Sequence, residues 1–189
     1  MDTMNFKNFL SNDKQLQESH FLGDTQSVIL GYGSFSPFHI GYLPMIAEMM
    51  KLSDEHNAEA ILTIMRTPST NETMLNTVIE TLSRDYSFLK VVVERDVASS
   101  LMKLHSFSRV PVAVLGETVI VEKALVTCKA VYGKDTLVKY VPAYLDSVQQ
   151  VCERAVANND LTSFRSHLMY TDNKQVTTTF DLLKEAHGQ

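Results

Sequence analysis

The sequence predicts an α/β protein: a doubly wound, five-stranded parallel sheet with a helical C-terminal cap. Three observations predict it. From Ser27 onward, short apolar runs alternate with longer runs of helical periodicity, the pattern of repeated strand–helix–strand units. The apolar runs are near-continuous rather than strictly alternating, which suits parallel strands covered on both faces. After residue 142 the strand-like runs stop and only helical ones follow. The organisation is therefore an N-terminal arm over 1–25, a Rossmann-like α/β core over 26–142 and a helical C-terminal subdomain over 143–189.

Residues 1–25 are polar with scattered Phe6, Phe9, Leu10 and Leu16, and read as an appendage, a short helix or an arm that docks on a neighbour. The expected strands are SVILGY (27–32), AEAILTIMR (58–66), FLKVVVE (88–94), RVPVAVL (109–115) and TLVKYV (136–141). Helical runs fill the gaps at 40–53, 70–86, 97–106 and 117–132. The second opens on Ser69-Thr70-Asn71-Glu72, which has the S-x-x-E spacing of a capping box. Met45 and Met49, four residues apart, read as core filler on the first helix. Three short helices are expected at 146–158, 160–168 and 174–186, with Asp160 as N-cap of the second. Phe164 is the expected core anchor of this cap, with Arg165 helping to pin it.

Composition excludes several classes of function. The chain has 189 residues, 44% hydrophobic and 21% charged, enough for one real core. A net charge of −5 gives no general basic face for nucleic acid. Cys128 and Cys152 have neither CxxC spacing nor a histidine at ligand spacing, so they read as buried thiols of a reducing compartment, and no metal site is expected. No apolar run approaches a membrane span, and MDTMNFKNFLSNDKQLQ is too polar for a signal peptide, so a cytoplasmic location is expected. His20, His56, His105, His167 and His187 are scattered, as surface or capping histidines are. Glu94, Arg95 and Asp96 read as a solvated strand end.

One stretch carries chemistry: GYGSFSPFHIGY, residues 31–42. A strand feeds a turn of Gly, Ser and Pro, and a helical pattern starts behind it. In an open parallel sheet this is where ligands bind. Gly33 permits a tight turn and Pro37 stiffens it. Backbone N–H groups near His39–Gly41, facing outward unpaired, would favour an anion. Gly41 would let a nucleotide approach the backbone, and His39 could donate to a phosphate. The competing reading is a plain strand–turn–helix connection in which His39 simply caps.

Gly33, Phe35, Pro37, His39 and Gly41 resemble the first signature of the HxGH nucleotidyltransferase superfamily, the cytidylyltransferase-like enzymes, whose loop reads G-x-F-x-P-x-(H/T)-x-G-H. CERAVANNDLTSFRSHL (152–168) and TTFDLLKEAHG (178–188) resemble the C-terminal helices of nucleotidyltransferase-like proteins of tailed bacteriophages. The resemblance implies that Gly33, Phe35, His39 and Gly41 bind nucleotide, with His39 as the catalytic histidine, vestigial or active. The candidate phosphate contacts are Arg154, if the register of the later motif slides by one, and Arg66 and Arg109, which with Lys51 are the cations that could move in to compensate. The departures are pointed. Tyr42 stands where the family has its second histidine. Glu153 falls where a phosphate-binding arginine belongs, unless the register slides by one to Arg154. Gly116-Glu117-Thr118-Val119 replaces a Gly-Ser-Asp-Arg-like turn, and Thr70-Asn71-Glu72-Thr73-Met74 replaces a basic loop.

Nucleotidyl transfer depends on cations and N–H donors aimed at the phosphates. The expectation is therefore a pseudoenzyme: a nucleotidyltransferase-like scaffold with a structural or binding role, as a tailed-phage virion protein or assembly component. It would meet protein partners, or itself, through the N-terminal arm and C-terminal helices, in the infected host cytoplasm or the virion. The alternative is an active enzyme moving AMP or CMP from an NTP to a small phosphorylated acceptor, with Mg2+ required and pyrophosphate released. A third reading is a thioredoxin-like module, suggested by Ser108-Arg109-Val110-Pro111 as a strand entry through a cis-proline, though Ser36-Pro37-Phe38-His39 supplies no CxxC.

Overall fold

The structure is a computed structural model that describes residues 26–133 and 137–188. The expected arm at 1–25, and His20 with it, lies outside the described residues. The apolar runs form β1 (Gln26–Gly33), β2 (Glu59–Met65), β3 (Leu89–Glu94), β4 (Arg109–Gly116) and β5 (Val138–Tyr140). They make one sheet in the order β3-β2-β1-β4-β5, with every adjacent pair parallel. This is the Rossmann-like doubly wound arrangement the alternation predicts.

Four helices link the strands: α1 (Leu43–His56), α2 (Glu72–Asp85), α3 (Val97–Ser106) and α4 (Thr118–Tyr132). Successive side chains of a strand point to opposite faces, so β1 serves two cores. Ile29 packs with Met45, Met49, Leu75, Val78 and Leu82 on the side of α1 and α2. Val28, Leu30 and Tyr32 pack with Val97, Leu101, Val121 and Ala124 on the side of α3 and α4.

The C-terminal helices α5 (Leu145–Ala157), α6 (Leu161–Ser166) and α7 (Asn173–His187) belong to the first of these cores. Leu145, Cys152, Phe164, Val176 and Phe180 are buried there beside the sheet. The rings of Phe164 and Phe180 meet edge to face at 5.2 Å. Asp160 caps α6 by accepting the Ser163 N–H at 2.9 Å, as expected. Both cysteines are buried thiols. Burial, with the Glu153 charge alongside, pushes the Cys152 thiol up to about 11.

Three local expectations are corrected. The first helical run opens with a 3₁₀ turn, Ile40–Tyr42, before α1 proper. The N-cap of α2 is Asn71, not Ser69: its side-chain oxygen accepts the N–H groups of Thr73 and Met74, while Glu72 pairs with Arg66. Thr70 instead closes a turn on Thr67, each hydrogen-bonding the other. Pro111 is not a cis entry point, since among the described residues the cis peptide is Ser36–Pro37. Pro111 lacks an N–H to give the ladder, and the β1–β4 register shifts between Val28 and Ile29 directly opposite it. The thioredoxin-like reading thereby loses its supporting feature.

Phe164 is fully buried between the C-terminal helices and the sheet. Phe164→Ala is expected to cost about 3–5 kcal/mol of unfolding free energy. A urea midpoint unchanged by that substitution would remove Phe164 from the core.

Candidate functional site

The strand order reverses between β1 and β4, so the crevice beyond their carboxyl ends is where a doubly wound sheet takes its ligand. Gly116 lets β4 finish against β1. Its φ is +144°, and a Cβ there would sit 2.1 Å from the Tyr32 carbonyl oxygen. The chain therefore delivers Glu117 to the mouth of the crevice, facing the loop that follows Gly33.

That carboxylate is held by three donors. Glu117 Oε1 accepts the Ser34 N–H at 3.0 Å, the Ser34 hydroxyl at 3.2 Å and the Tyr42 hydroxyl at 3.2 Å. The Tyr42 oxygen in turn accepts the Phe35 N–H at 3.2 Å. Burial, reinforced by the Glu117 charge, pushes the Tyr42 phenol far above its ordinary value, so it stays a neutral donor.

Behind this latch the space is filled by the protein's own rings. Phe35 stacks on Tyr42 with centroids 4.3 Å apart, and Phe38 meets Phe35 edge-on at 5.9 Å. Phe35 reaches this position with φ at +51°, a left-handed conformation that costs a non-glycine residue about 1–2 kcal/mol. Gly33 is where the rings need room: a Cβ there would lie 2.9 Å from both Phe35 and Tyr42. Gly41 serves the same purpose for His39, whose ring would be 2.9 Å from an added Cβ.

His39 is fully buried. Its Nδ1 accepts the Gly41 N–H at 3.2 Å. A backbone N–H can only donate, so the imidazole proton lies on Nε2, which donates to Gln149 Oε1 at 3.1 Å. The Gln149 amide nitrogen then donates to Glu153 at 2.9 Å and reaches the Ser36 carbonyl at 3.5 Å. Burial lowers the imidazole pKa to about 4; the Gln149 hydrogen bond partly opposes this and the nearby His167 adds to it. At neutral pH His39 is uncharged, with both ring nitrogens engaged.

The backbone N–H groups expected to face outward are also used. Ile40 donates to the His167 carbonyl at 2.9 Å, Gly41 to His39, and Tyr42 to the His39 carbonyl at 3.1 Å. The cause is tertiary. The segment after α6 lies along the loop, with His39 and Leu168 forming an antiparallel bridge and Met169 donating to the Phe38 carbonyl at 3.0 Å. The Tyr170 hydroxyl accepts the Phe38 N–H at 3.4 Å. His39 thus caps the 3₁₀ turn, the plainer of its two expected roles.

Gly33, Phe35, His39, Gly41 and Tyr42 come together at the loop, while each candidate cation is engaged with another group of the chain. Arg66 follows β2 and is paired with Glu72, its N–H donating to the Glu94 carbonyl at 2.8 Å. Arg109 opens β4 and pairs with Glu59 at the amino edge of the sheet. The strand's length, roughly 20 Å or more at about 3.3 Å per residue, separates it from the crevice. Arg154 is exposed on α5, its Nε donating to the Gln150 carbonyl at 3.3 Å, and Lys51 pairs with Glu48 on α1. Glu153, four residues after Gln149, shares its side of α5 and accepts its amide N–H. Sequence reasoning missed Ser34 and Gln149 and read Glu117 only as a departure. The available signal for Glu117 was its place directly after a strand-ending glycine.

Among the described residues no group of three or more His, Cys, Asp or Glu could hold a metal ion. No helix among them is long and apolar enough to cross a membrane.

The buried imidazole has a pH signature. The unfolded chain protonates it near 6.5 and the folded chain near 4, so acid favours the unfolded state between those values. The stability contributed is fully present above pH 6.5 and is lost as pH falls toward 4, about 3 kcal/mol in all. His39→Asn keeps an acceptor for the Gly41 N–H but cannot titrate. Urea midpoints across that pH window should fall less steeply in the variant than in the parent, and parallel slopes would contradict the assignment.

No protein-family model matches the chain, and no curated protein matches it.

Proposed function

We infer that this chain is a catalytically degenerate nucleotidyltransferase-like protein, a scaffold kept for a structural or binding role in a tailed-phage virion or its assembly. One observation carries the reading. At the crevice of the sheet, a carboxylate of the chain itself, Glu117, takes the donors of Ser34 and Tyr42 that a phosphate would need. A negative charge fixed there repels an incoming triphosphate. Glu153 adds a second carboxylate beside the loop.

Transfer of a nucleotidyl group requires positive charge and free donors where phosphate charge develops. Loss of one such donor costs about 3–4 kcal/mol of transition-state stabilisation. Here His39 is neutral and spent on Gly41 and Gln149, Tyr42 is spent on Glu117, and the three candidate arginines are engaged with Glu72, Glu59 and the Gln150 carbonyl. The phage component of the reading rests on the likeness of 152–168 and 178–188. The first of those segments ends on His167 and Leu168, which meet the loop at Ile40 and His39.

Thermal unfolding with Mg2+ and millimolar ATP or CTP tests this. The expected result is an unchanged midpoint. A ligand of the folded state at about 100 times its dissociation constant would add about 2.7 kcal/mol. A midpoint raised by either nucleotide, with pyrophosphate released on adding a phosphorylated acceptor, would overturn the reading in favour of an active enzyme.

A further inference from the structure

We propose that β3 is a homodimer interface, on which the β3 of a second copy pairs antiparallel about a twofold axis through Val92. This goes beyond the function inferred above and does not rest on it.

The two ends of the sheet differ. β5 is three residues long, with Pro142 just beyond it, the short proline-flanked edge that discourages further pairing. β3 is six residues, Leu-Lys-Val-Val-Val-Glu, with no proline and three consecutive valines. It is the last strand on its side among the described residues.

The backbone fixes which groups point outward. The Glu94 carbonyl accepts the Arg66 N–H that follows β2, so Glu94 faces β2, and by alternation so do Val92 and Lys90. Val91 and Val93 therefore turn both their N–H and C=O groups away from β2. An antiparallel pair needs opposed residues of the same parity, so a twofold axis must pass through a residue and not between two. On the Val92 axis, Val91 of one copy lies opposite Val93 of the other. Each such pair exchanges two N–H···O bonds, and symmetry makes four.

The same axis sets the side chains. Lys90 falls opposite Glu94 of the second copy, twice, at the narrow non-hydrogen-bonded positions where side chains approach most closely. Shifting the axis to Val91 or Val93 loses both charge pairs. Parallel, in-register addition would set Lys90 against Lys90 and Glu94 against Glu94. The strand thus favours antiparallel over parallel pairing with its own copy. Lys90 already approaches Glu59 at 4.0 Å, and Glu94 accepts from Lys103 at 2.8 Å; the partner's charges add to these contacts. With α2 packed on one face of β3 and α3 on the other, the axis also brings each helix alongside its own copy.

Sedimentation of the full chain at tens of micromolar tests the proposal. The parent should be a dimer. Val93→Pro removes an outward N–H and spares the β2 ladder, so it should give a monomer with unchanged circular dichroism. Lys90→Glu and Glu94→Lys should each weaken the dimer about tenfold, and the double swap should restore it. An effect exerted only through Glu59 and Lys103 within one copy would instead be worst in the double variant. A monomeric parent, or a dimer indifferent to the charge swap, would overturn the proposal. Should Val93→Pro fail to fold, the charge swap decides alone.

Discussion

A carboxylate placed at the mouth of a half-buried crevice has to find hydrogen-bond donors, and the site is arranged around how Glu117 finds them. Ser34 gives its N–H and its hydroxyl, and Tyr42 gives its phenol. Because Tyr42 is turned toward Glu117, its oxygen is placed to accept the Phe35 N–H. That bond holds Phe35 in its left-handed conformation and its ring against Tyr42. Gly33 then has to be glycine to accommodate both rings, and Gly116 has to be glycine to bring Glu117 there at all. Charge, ring packing and backbone conformation at the crevice are one connected arrangement.

A second arrangement meets the first at His39. The C-terminal segment bridges the loop through Leu168 and takes the N–H groups of Phe38 and Ile40. Gln149 engages the far side of the imidazole. The consequence is electrostatic as well as steric: a buried, neutral histidine replaces the proton donor that an anion site would use. The C-terminal helices thus complete the hydrophobic core, while Gln149 and the segment after α6 take up the polar groups of the loop.

The fold was legible because parallel strands buried on both faces write themselves as apolar runs, and each expected strand appears within two residues of its place. α3 appears over the expected 97–106, since Asp96 caps it with a side chain whose chemistry is local. The cap of α2 was not legible: Ser69 and Asn71 both fit local rules, and the turn made by Thr67 and Thr70 decided between them. At the site, the glycines announced that something lies close to the backbone but not what. A nucleotide and the protein's own rings make the same demand for a missing Cβ. Gln149 lies 110 residues from His39 and carries no local signal of its role. The place of Arg109 could have been read, because a residue that opens a parallel strand lies at the edge opposite the ligand.

The central claim is that the donors of the crevice are spent within the chain. The state of the His39 imidazole reports on it most directly. Nitrogen-15 NMR of histidine-labelled protein, followed as pH falls, distinguishes the tautomers and the titration. The account predicts a neutral ring protonated on Nε2 that takes up its second proton only near pH 4. A ring protonated on Nδ1, or one titrating near 6.5 as a solvated histidine does, would contradict it and leave His39 free to meet a phosphate.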